Sequence, residues 1–287
     1  MPFLSLVVAV VYLLAPTLGL CYDVLILQSL RDKGYQEAVQ GFKRECTASS
    51  RTVVLSDFVA ADLTRMVREE RPKLIIAVGE RAHEMSIKVR EIPVLYMMVI
   101  TPRHRLPANH SGVGMLIDPS RYVSVLDNLG SRRIGVLFDP SRTGAYLKKA
   151  QSAARRSGMD LVVREVRSPR ETPALLDSLR GRVDAIWMIP DLTAVSTATT
   201  EAFFLFSQGE MIPVVTFSDF YLTMGGAIAL SIDRHDIGRQ LGEMARQVLD
   251  GTPVEELPAQ SPRKFTIKAN NGVLKKLRLS LTVPGGS

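Results

Sequence analysis

From Asp23 onward, short apolar runs alternate with helical stretches, and this alternation constrains the fold more than any other feature of the sequence. Residues 24–27 and 74–78 are continuously apolar and rich in β-branched side chains. The stretches that follow them, to about residues 44 and 88, have helical character. Continuous apolar strands separated by amphipathic helices indicate a parallel sheet covered on both faces. The sequence therefore predicts an α/β fold.

The alternation pauses between residues 101 and 114, where prolines and glycines interrupt the chain. Such clusters mark turns and loops, so we expect the chain to cross into a second domain there. Strands and helices then resume up to residue 230. A helix over residues 237–249 follows, and its apolar positions keep helical spacing and so predict one buried stripe.

We therefore predict two doubly wound parallel-sheet domains joined by a hinge. The N-terminal lobe is assigned residues 22–112 plus 234–258, and the C-terminal lobe residues 113–233 plus 259–287. The tail after Phe265 can either pack on the second domain or cap the hinge. A length of 287 residues agrees with two domains at roughly 100–200 residues each.

Composition excludes two broad classes of protein. With 46% hydrophobic and 23% charged residues, the chain can bury a sizeable core and is not globally disordered. A polytopic membrane protein is also excluded, because it would need several apolar runs of about 20 residues. The single candidate run lies at the start of the chain.

That first run predicts export. Residues 3–15 are almost wholly apolar and are ended by Pro16, a length typical of a secretory signal peptide rather than a membrane span. No Lys or Arg precedes the run. Gly19 and Cys21 favour cleavage after Cys21, so residues 1–21 are assigned to the signal and the mature chain to the periplasm. Lipidation of Cys21, a buried first strand and an uncleaved anchor are the alternatives.

Charge and cysteine content identify no further partner. The net charge of +7 comes from scattered basic residues without interleaved aromatic side chains, so no nucleic-acid binding is expected. Cys21 and Cys46 cannot form a disulfide framework and have no partner at metal-ligand spacing. We expect Cys46 to be a buried or unreactive thiol.

Acidic residues recur where strands end and helices begin. Asp118-Pro119 and Asp139-Pro140 each place a capping Asp before a proline that suits the first helical turn. Asp191 and Thr193 follow the strand predicted over residues 185–189 in the same way. Because open parallel sheets bind ligands at the carboxyl ends of their strands, these residues are candidate ligand contacts. Capping alone explains any one of them equally well.

Catalytic and cofactor motifs are missing from the sequence. There is no Gly-x-Ser-x-Gly elbow, no Gly-x-Gly-x-x-Gly after a strand, and no phosphate-binding Gly-Lys-Ser/Thr loop. His83, His104, His110 and His235 are dispersed, whereas a metal site needs three or four convergent ligands. We expect no enzymatic activity, no cofactor and no metal.

The order of these elements resembles a known family. Residues 133–141 (RIGVLFDPS), 183–193 (VDAIWMIPDLT) and 226–230 (GAIAL), followed by Asp233 and Gly238, are similar to the ABC-transporter substrate-binding proteins that bind tryptophan or other aromatic amino acids. These have the type I periplasmic binding protein fold. The resemblance covers most of the mature chain, with several motifs in the family's order and compatible spacing.

The resemblance implies binding without chemistry, in a cleft that closes between the domains. Position by position, it implies that one side of the cleft is formed by Ser29, Gly79, Glu80 and Thr101. It implies that the other side is formed by Asp139, Ser141, Thr143, Asp191, Thr193, Ser218 and Asp233. Family members often carry Asn in place of Asp139 and of Leu192, so a ligand other than an aromatic amino acid is possible.

We therefore expect a monomeric solute-binding protein that captures a small polar or zwitterionic molecule, such as an amino acid, and delivers it to an inner-membrane ABC permease. The alternative is a periplasmic sensor of the same fold that docks on a membrane receptor when loaded.

Overall fold

The structure, a computed structural model, describes residues 22–59, 62–100 and 106–280. The predicted signal peptide, residues 1–21, and the predicted site residue Thr101 lie outside the described residues. Within the part described, no helix is both long enough and apolar enough to span a bilayer.

Five parallel strands form the first sheet, in the order β2-β1-β3-β4-β5. The strands are β1 (Val24–Gln28), β2 (Ser50–Val54), β3 (Leu74–Val78), β4 (Val94–Met97) and β5 (His110–Val113). The intervening helices are α1 (Lys33–Glu45), α2 (Leu63–Glu70) and α3 (Glu80–Ser86). Strands β1, β3 and β4 are buried along their whole length, as expected of a sheet covered on both faces.

The second sheet has six strands in the order β11-β10-β9-β8-β6-β7. Its strands are β6 (Arg133–Phe138), β7 (Asp160–Glu165), β8 (Ala185–Trp187), β9 (Val214–Thr216), β10 (Ile228–Ile232) and β11 (Phe265–Ala269). The remaining helices are α4 (Pro119–Asn128), α5 (Pro140–Arg156), α6 (Thr172–Asp177), α7 (Thr200–Glu210), α8 (Arg234–Leu249) and α9 (Asn271–Lys276). Two doubly wound α/β sheets confirm the predicted fold class.

Strand β5 occupies the region where the sequence predicts only a crossing. It pairs with β4, and Gly112 lies opposite Tyr96. A Cβ at Gly112 would lie 2.1 Å from the Tyr96 carbonyl oxygen, so the glycine permits this close pairing. Because the strand begins with polar His110 and Ser111, it lacks the apolar run that predicts a buried strand.

The tail packs on the second sheet. Strand β11 runs antiparallel to β10, with Phe265 opposite Ile232 and Ala269 opposite Ile228. Leu274 of α9 is 4% exposed and belongs to the same core. The second sheet is therefore parallel except for this edge strand.

Helix α8 follows the second sheet in sequence but packs on the first. Its stripe of Ile237, Leu241 and Met244 lies in the core that contains β1, β3 and β4. The contact with α1 is backbone to backbone: a Cβ at Gly238 would lie 1.9 Å from the Ala38 carbonyl oxygen. Glycine is thus required where these two helices cross.

Three crossings join the lobes, here defined as each sheet with the helices packed on it. The first leaves the carboxyl end of β5 and the second leaves the carboxyl end of β10. The third enters β11 beside the end of β10. Gly114 N–H donates to the Gln260 carbonyl at 3.0 Å, and Asp233 N–H donates to the Lys264 carbonyl at 3.2 Å, so the crossings lie side by side.

The helix contact gives a stability prediction. Gly238→Ala should destabilise the protein by about 1–3 kcal/mol or more, because the added methyl group overlaps the α1 backbone. Chemical denaturation with urea measures the change. The matched control is Gly144→Ala in α5, where no atom lies within 4 Å of the added Cβ. That substitution should stabilise by about 0.5–1 kcal/mol. Equal effects at both positions would contradict the packing described.

Candidate functional site

Each sheet has a point where the strand order reverses. In the first sheet, β1 lies between β2 and β3; in the second, β6 lies between β7 and β8. Helices that follow the two neighbouring strands depart to opposite faces there, which leaves a crevice at the carboxyl ends where ligands of open α/β sheets bind. The crevice residues follow β1 and β3 in the first lobe, and β6 and β8 in the second.

Ser29 and Gly79 line the crevice of the first lobe. The Ser29 hydroxyl donates to the Val78 carbonyl at 2.9 Å and accepts from Ala82 N–H at 3.0 Å, so it joins β3 to the start of α3. Gly79 has φ 87°, and no side chain caps the helix it precedes. Glu80 accepts from Ile100 N–H at 2.8 Å and thereby holds the segment after β4.

Asp191 is the centre of the second crevice, and it is only 1% exposed. Its Oδ2 accepts from Asp139 N–H at 2.8 Å and from the Thr143 hydroxyl at 2.5 Å. Its Oδ1 accepts from the N–H groups of Thr193 and Ala194, each at 2.9 Å. Four protein donors therefore surround this carboxylate, which joins the loop after β6 to the loop after β8.

Asp139 lies above this buried carboxylate and caps α5. Its Oδ1 accepts from Ser141 N–H at 2.9 Å and from the Ser141 hydroxyl at 2.6 Å, and its Oδ2 accepts from the Thr193 hydroxyl at 2.8 Å. Partial burial opposes ionisation, but these bonds and nearby Arg142 keep the pKa of Asp139 below its ordinary value. The second crevice therefore contains two carboxylates within one hydrogen-bonded loop pair.

The remaining predicted residues lie along the same carboxyl edges. Ser218 follows β9 and caps a short 3-10 helix over residues 219–224. Asp233 follows β10, caps α8 and accepts from Asp236 N–H at 3.0 Å. The structure thus groups Ser29 with Gly79 and Glu80, and groups Asp139, Ser141, Thr143, Asp191 and Thr193.

The sequence interpretation missed Tyr35 and the apolar residues around these crevices. The Tyr35 hydroxyl would lie 2.5 Å from a Cβ at Gly79, so it sits over the end of β3. Leu30, Phe58, Leu192 and Phe220 are 44–64% exposed, and each lies two to five residues beyond the end of a strand. Their positions shortly after predicted strands are the feature of the sequence that could have identified them.

His83, His110 and Cys46 are buried packing residues, and His104 lies outside the described residues. His110 is buried, and burial lowers its pKa to about 4. His83 is buried with its ring centroid 4.8 Å from that of Tyr96. Cys46 is 3% exposed, and burial raises the pKa of its thiol. No group of three or more potential metal ligands occurs within the described ranges.

The crossing that leads to β11 is clamped to α8. Arg263 donates to buried Asp236 at 2.9 Å and to Glu243 at 2.7 and 2.8 Å, and these two carboxylates raise its pKa further. Gln240 donates to the Gln260 side chain at 2.6 Å and to the Ser261 carbonyl at 3.1 Å. Residues 260–263 are therefore fixed to the first lobe, and the chain enters β11 shortly after them.

Comparison with known proteins gives a family and a fold. The family model described as ABC transporter substrate binding protein matches residues 8–283. A tyrosine-binding protein of Clostridioides difficile (strain R20291) is 19% identical over 264 residues, which cover 88% of this chain and 74% of the relative.

Two solved structures have the same architecture. The ligand-free, open form of a substrate-binding protein with adhesive properties from Clostridium difficile has a TM-score of 0.70 at 17% identity, covering 92% of this chain and 97% of the other. An ABC domain from Streptococcus pneumonia in complex with L-Trp has a TM-score of 0.65 at 17% identity, covering 91% and 95%. Both similarities concern the fold.

The buried carboxylate gives a second stability prediction. Asp191→Asn should destabilise the protein by about 1–3 kcal/mol or more. The NH2 group of the asparagine would face N–H donors from which a carboxylate oxygen of Asp191 accepts. Urea denaturation measures the loss. Asp160→Asn, at an exposed position of β7, is the matched control and should change stability by less than about 0.5 kcal/mol. Full stability of Asp191→Asn would show that the carboxylate does not organise the two loops.

Proposed function

We propose that this chain, which belongs to the ABC transporter substrate-binding protein family, acts outside the cytoplasm as the solute-binding protein of an ABC importer. It holds one small zwitterionic molecule, of the amino-acid class, between its two lobes. Binding there requires no covalent chemistry.

The observation that carries this proposal is the position of the two crevices relative to the crossings. Ser29 and Gly79 lie at the carboxyl edge of the first sheet, the edge from which the chain leaves β5. Asp139 and Asp191 lie at the carboxyl edge of the second sheet, the edge from which it leaves β10. Because the crossings join these two edges, a molecule between the lobes reaches both crevices.

The charges of the two crevices favour opposite ends of a zwitterion. In the second lobe, Asp139 and Asp191 create a negative potential that attracts an ammonium group. Asp191 contributes through its charge and not through direct contact, because protein donors already occupy both of its oxygens. Asp139 is the partner that can reach the ligand, and Thr143 and Thr193 set its position together with Asp191.

In the first lobe, the Tyr35 hydroxyl and the backbone at the start of α3 suit the ligand carboxylate. The Ser29 hydroxyl and the Gly79 N–H shape this end of the crevice, because they already donate to carbonyl groups of the first sheet. Ser29, Gly79 and the Tyr35 hydroxyl lie together at the ends of β1 and β3. Glu80 contributes by holding the segment after β4, where Thr101 follows. On the second side, Ser141, Ser218 and Asp233 complete the set of proposed contacts, and exposed Phe58 and Phe220 offer apolar surface to a ligand side chain.

Two similar proteins support the amino-acid class. One relative is a tyrosine-binding protein, and one structural neighbour is a complex with L-Trp.

Hinge closure follows from the same arrangement. Three adjacent crossings, each a short segment, allow the lobes to rotate as bodies while their cores stay packed. Because Arg263 is bound to Asp236 of α8, we expect this crossing to bend only after Arg263, where the chain enters β11. Genes for a permease and an ATPase beside this gene would favour transport, whereas a histidine kinase gene would favour the sensor alternative.

Ligand binding is tested with a panel of free amino acids that includes L-tyrosine and L-tryptophan. A bound amino acid present at a hundred times its dissociation constant should stabilise the protein by about 2.7 kcal/mol. Thermal unfolding screens the panel, and isothermal titration gives stoichiometry, for which we expect one site. An absence of stabilisation and of heat with every amino acid would contradict this ligand class.

The ammonium contact is tested with a matched pair of substitutions. Asp139→Asn should weaken binding of the amino acid found above by about tenfold or more, because it removes the charge while asparagine still caps the helix. Asp118→Asn is the control, since Asp118 precedes a proline and accepts from Ser120 N–H at 2.9 Å as Asp139 does from Ser141. Equal affinity in both variants would assign the ammonium to another partner.

A further inference from the structure

The outer face of helix α5 carries basic residues that no carboxylate neutralises by an ion pair. The helix contains five basic residues and no acidic residue over Pro140–Arg156. Lys148, Lys149, Arg155 and Arg156 are exposed. None of these four forms an ion pair within the described chain, whereas Arg132, Arg133 and Arg180 each pair with an acid.

These residues form one stripe. The positions 148, 149, 152, 155 and 156 repeat at helical spacing, so their side chains lie on the same face of α5. At 1.5 Å per residue, the stripe is about 12 Å long. Ser152 is its only uncharged member. Over Pro140–Arg156, all of which the structure describes, no large apolar side chain is exposed. The stripe therefore attracts anions and offers nothing for insertion into an apolar phase.

A cavity of about 480 Å³ opens beside the stripe, between α5 and the start of α4. Lys148, Lys149 and Arg156 line it together with Ser152 and Asp118. The Ser120 hydroxyl, and to a smaller extent Arg121 and Lys149, lower the pKa of Asp118. The lining of the cavity therefore combines one carboxylate with three basic side chains. A phosphate-sized anion can enter this space and still meet an excess of positive charge.

We propose that this stripe, Lys148–Lys149–Ser152–Arg155–Arg156, docks the protein on the surface of an anionic phospholipid bilayer. Phosphate headgroups occupy the cavity and the adjacent stripe. Each basic residue close to an anionic membrane contributes about a fivefold gain in affinity. A bilayer fits better than a single acidic peptide, because the stripe is exposed, lies on one helix face and has no apolar anchor.

The stripe leaves the cleft accessible. It begins seven residues after Ser141, which is about 10 Å along the helix from the end that faces the cleft. A protein docked in this way can bind its solute while it stays near the membrane. This inference does not depend on the identity of the solute.

The test is sedimentation of the purified chain, residues 22–287, with vesicles of phosphatidylcholine that contain a minor fraction of phosphatidylglycerol. Binding should disappear with pure phosphatidylcholine vesicles. It should also disappear in 1 M NaCl, where the Debye length is about 3 Å. The triple variant Lys148→Gln, Lys149→Gln, Arg156→Gln should bind on the order of a hundredfold more weakly at low salt.

The matched control removes the same charge elsewhere, with Lys43→Gln, Arg44→Gln and Arg68→Gln on helices of the first lobe. These residues are exposed and also form no ion pair within the described chain. The control should retain most of the vesicle binding. An equal loss in both variants would show that net charge alone is responsible, and would overturn the proposal. Binding to a soluble polyanion such as heparin, with none to the vesicles, would overturn it as well.

Discussion

The arrangement depends on one constraint: within residues 22–280, as far as they are described, the chain passes between its two sheets at their carboxyl edges. Parallel strands put all the loops that follow them at the same edge. Here β5 and β10 both end at the crossings, and β11 begins beside β10. The two edges that carry the crevice residues are consequently the two edges that the crossings bring together. The proposed ligand site between the lobes follows from this strand direction and from the positions of the crossings.

Two contacts hold helix α8 and the crossing that follows it on the first lobe. Helix α8 follows the second sheet in sequence, yet the close approach of Gly238 to Ala38 holds it against α1 of the first lobe. Arg263 then fixes the following crossing to α8 through Asp236 and Glu243. The segments that join the lobes are therefore the short ones next to β5, β10 and β11. Buried Asp191 has the corresponding role inside the second lobe, where it holds two loops in one position relative to each other.

Much of this architecture could be predicted from the sequence, because buried parallel strands such as β3 are long apolar runs and Asp-Pro pairs mark helix starts. Strand β5 could not, since Gly112 and Ser111 make it polar and only its pairing with Tyr96 explains the glycine. The antiparallel β11 alternates in burial at an edge and so has a weaker pattern. For the site, the sequence places Asp139 and Asp191 correctly at strand ends. The sequence cannot distinguish a carboxylate that is surrounded by protein donors, such as Asp191, from one that stays partly exposed, such as Asp139. That difference depends on residues about fifty positions apart.

The central claim is that a single molecule contacts both lobes and draws them together. Small-angle X-ray scattering of the mature chain, with and without a saturating amino acid identified by titration, measures this directly. The account predicts a smaller radius of gyration in the bound state, and the same decrease at several protein concentrations. An unchanged radius of gyration at full occupancy would contradict it, since the ligand would then be held by one lobe alone.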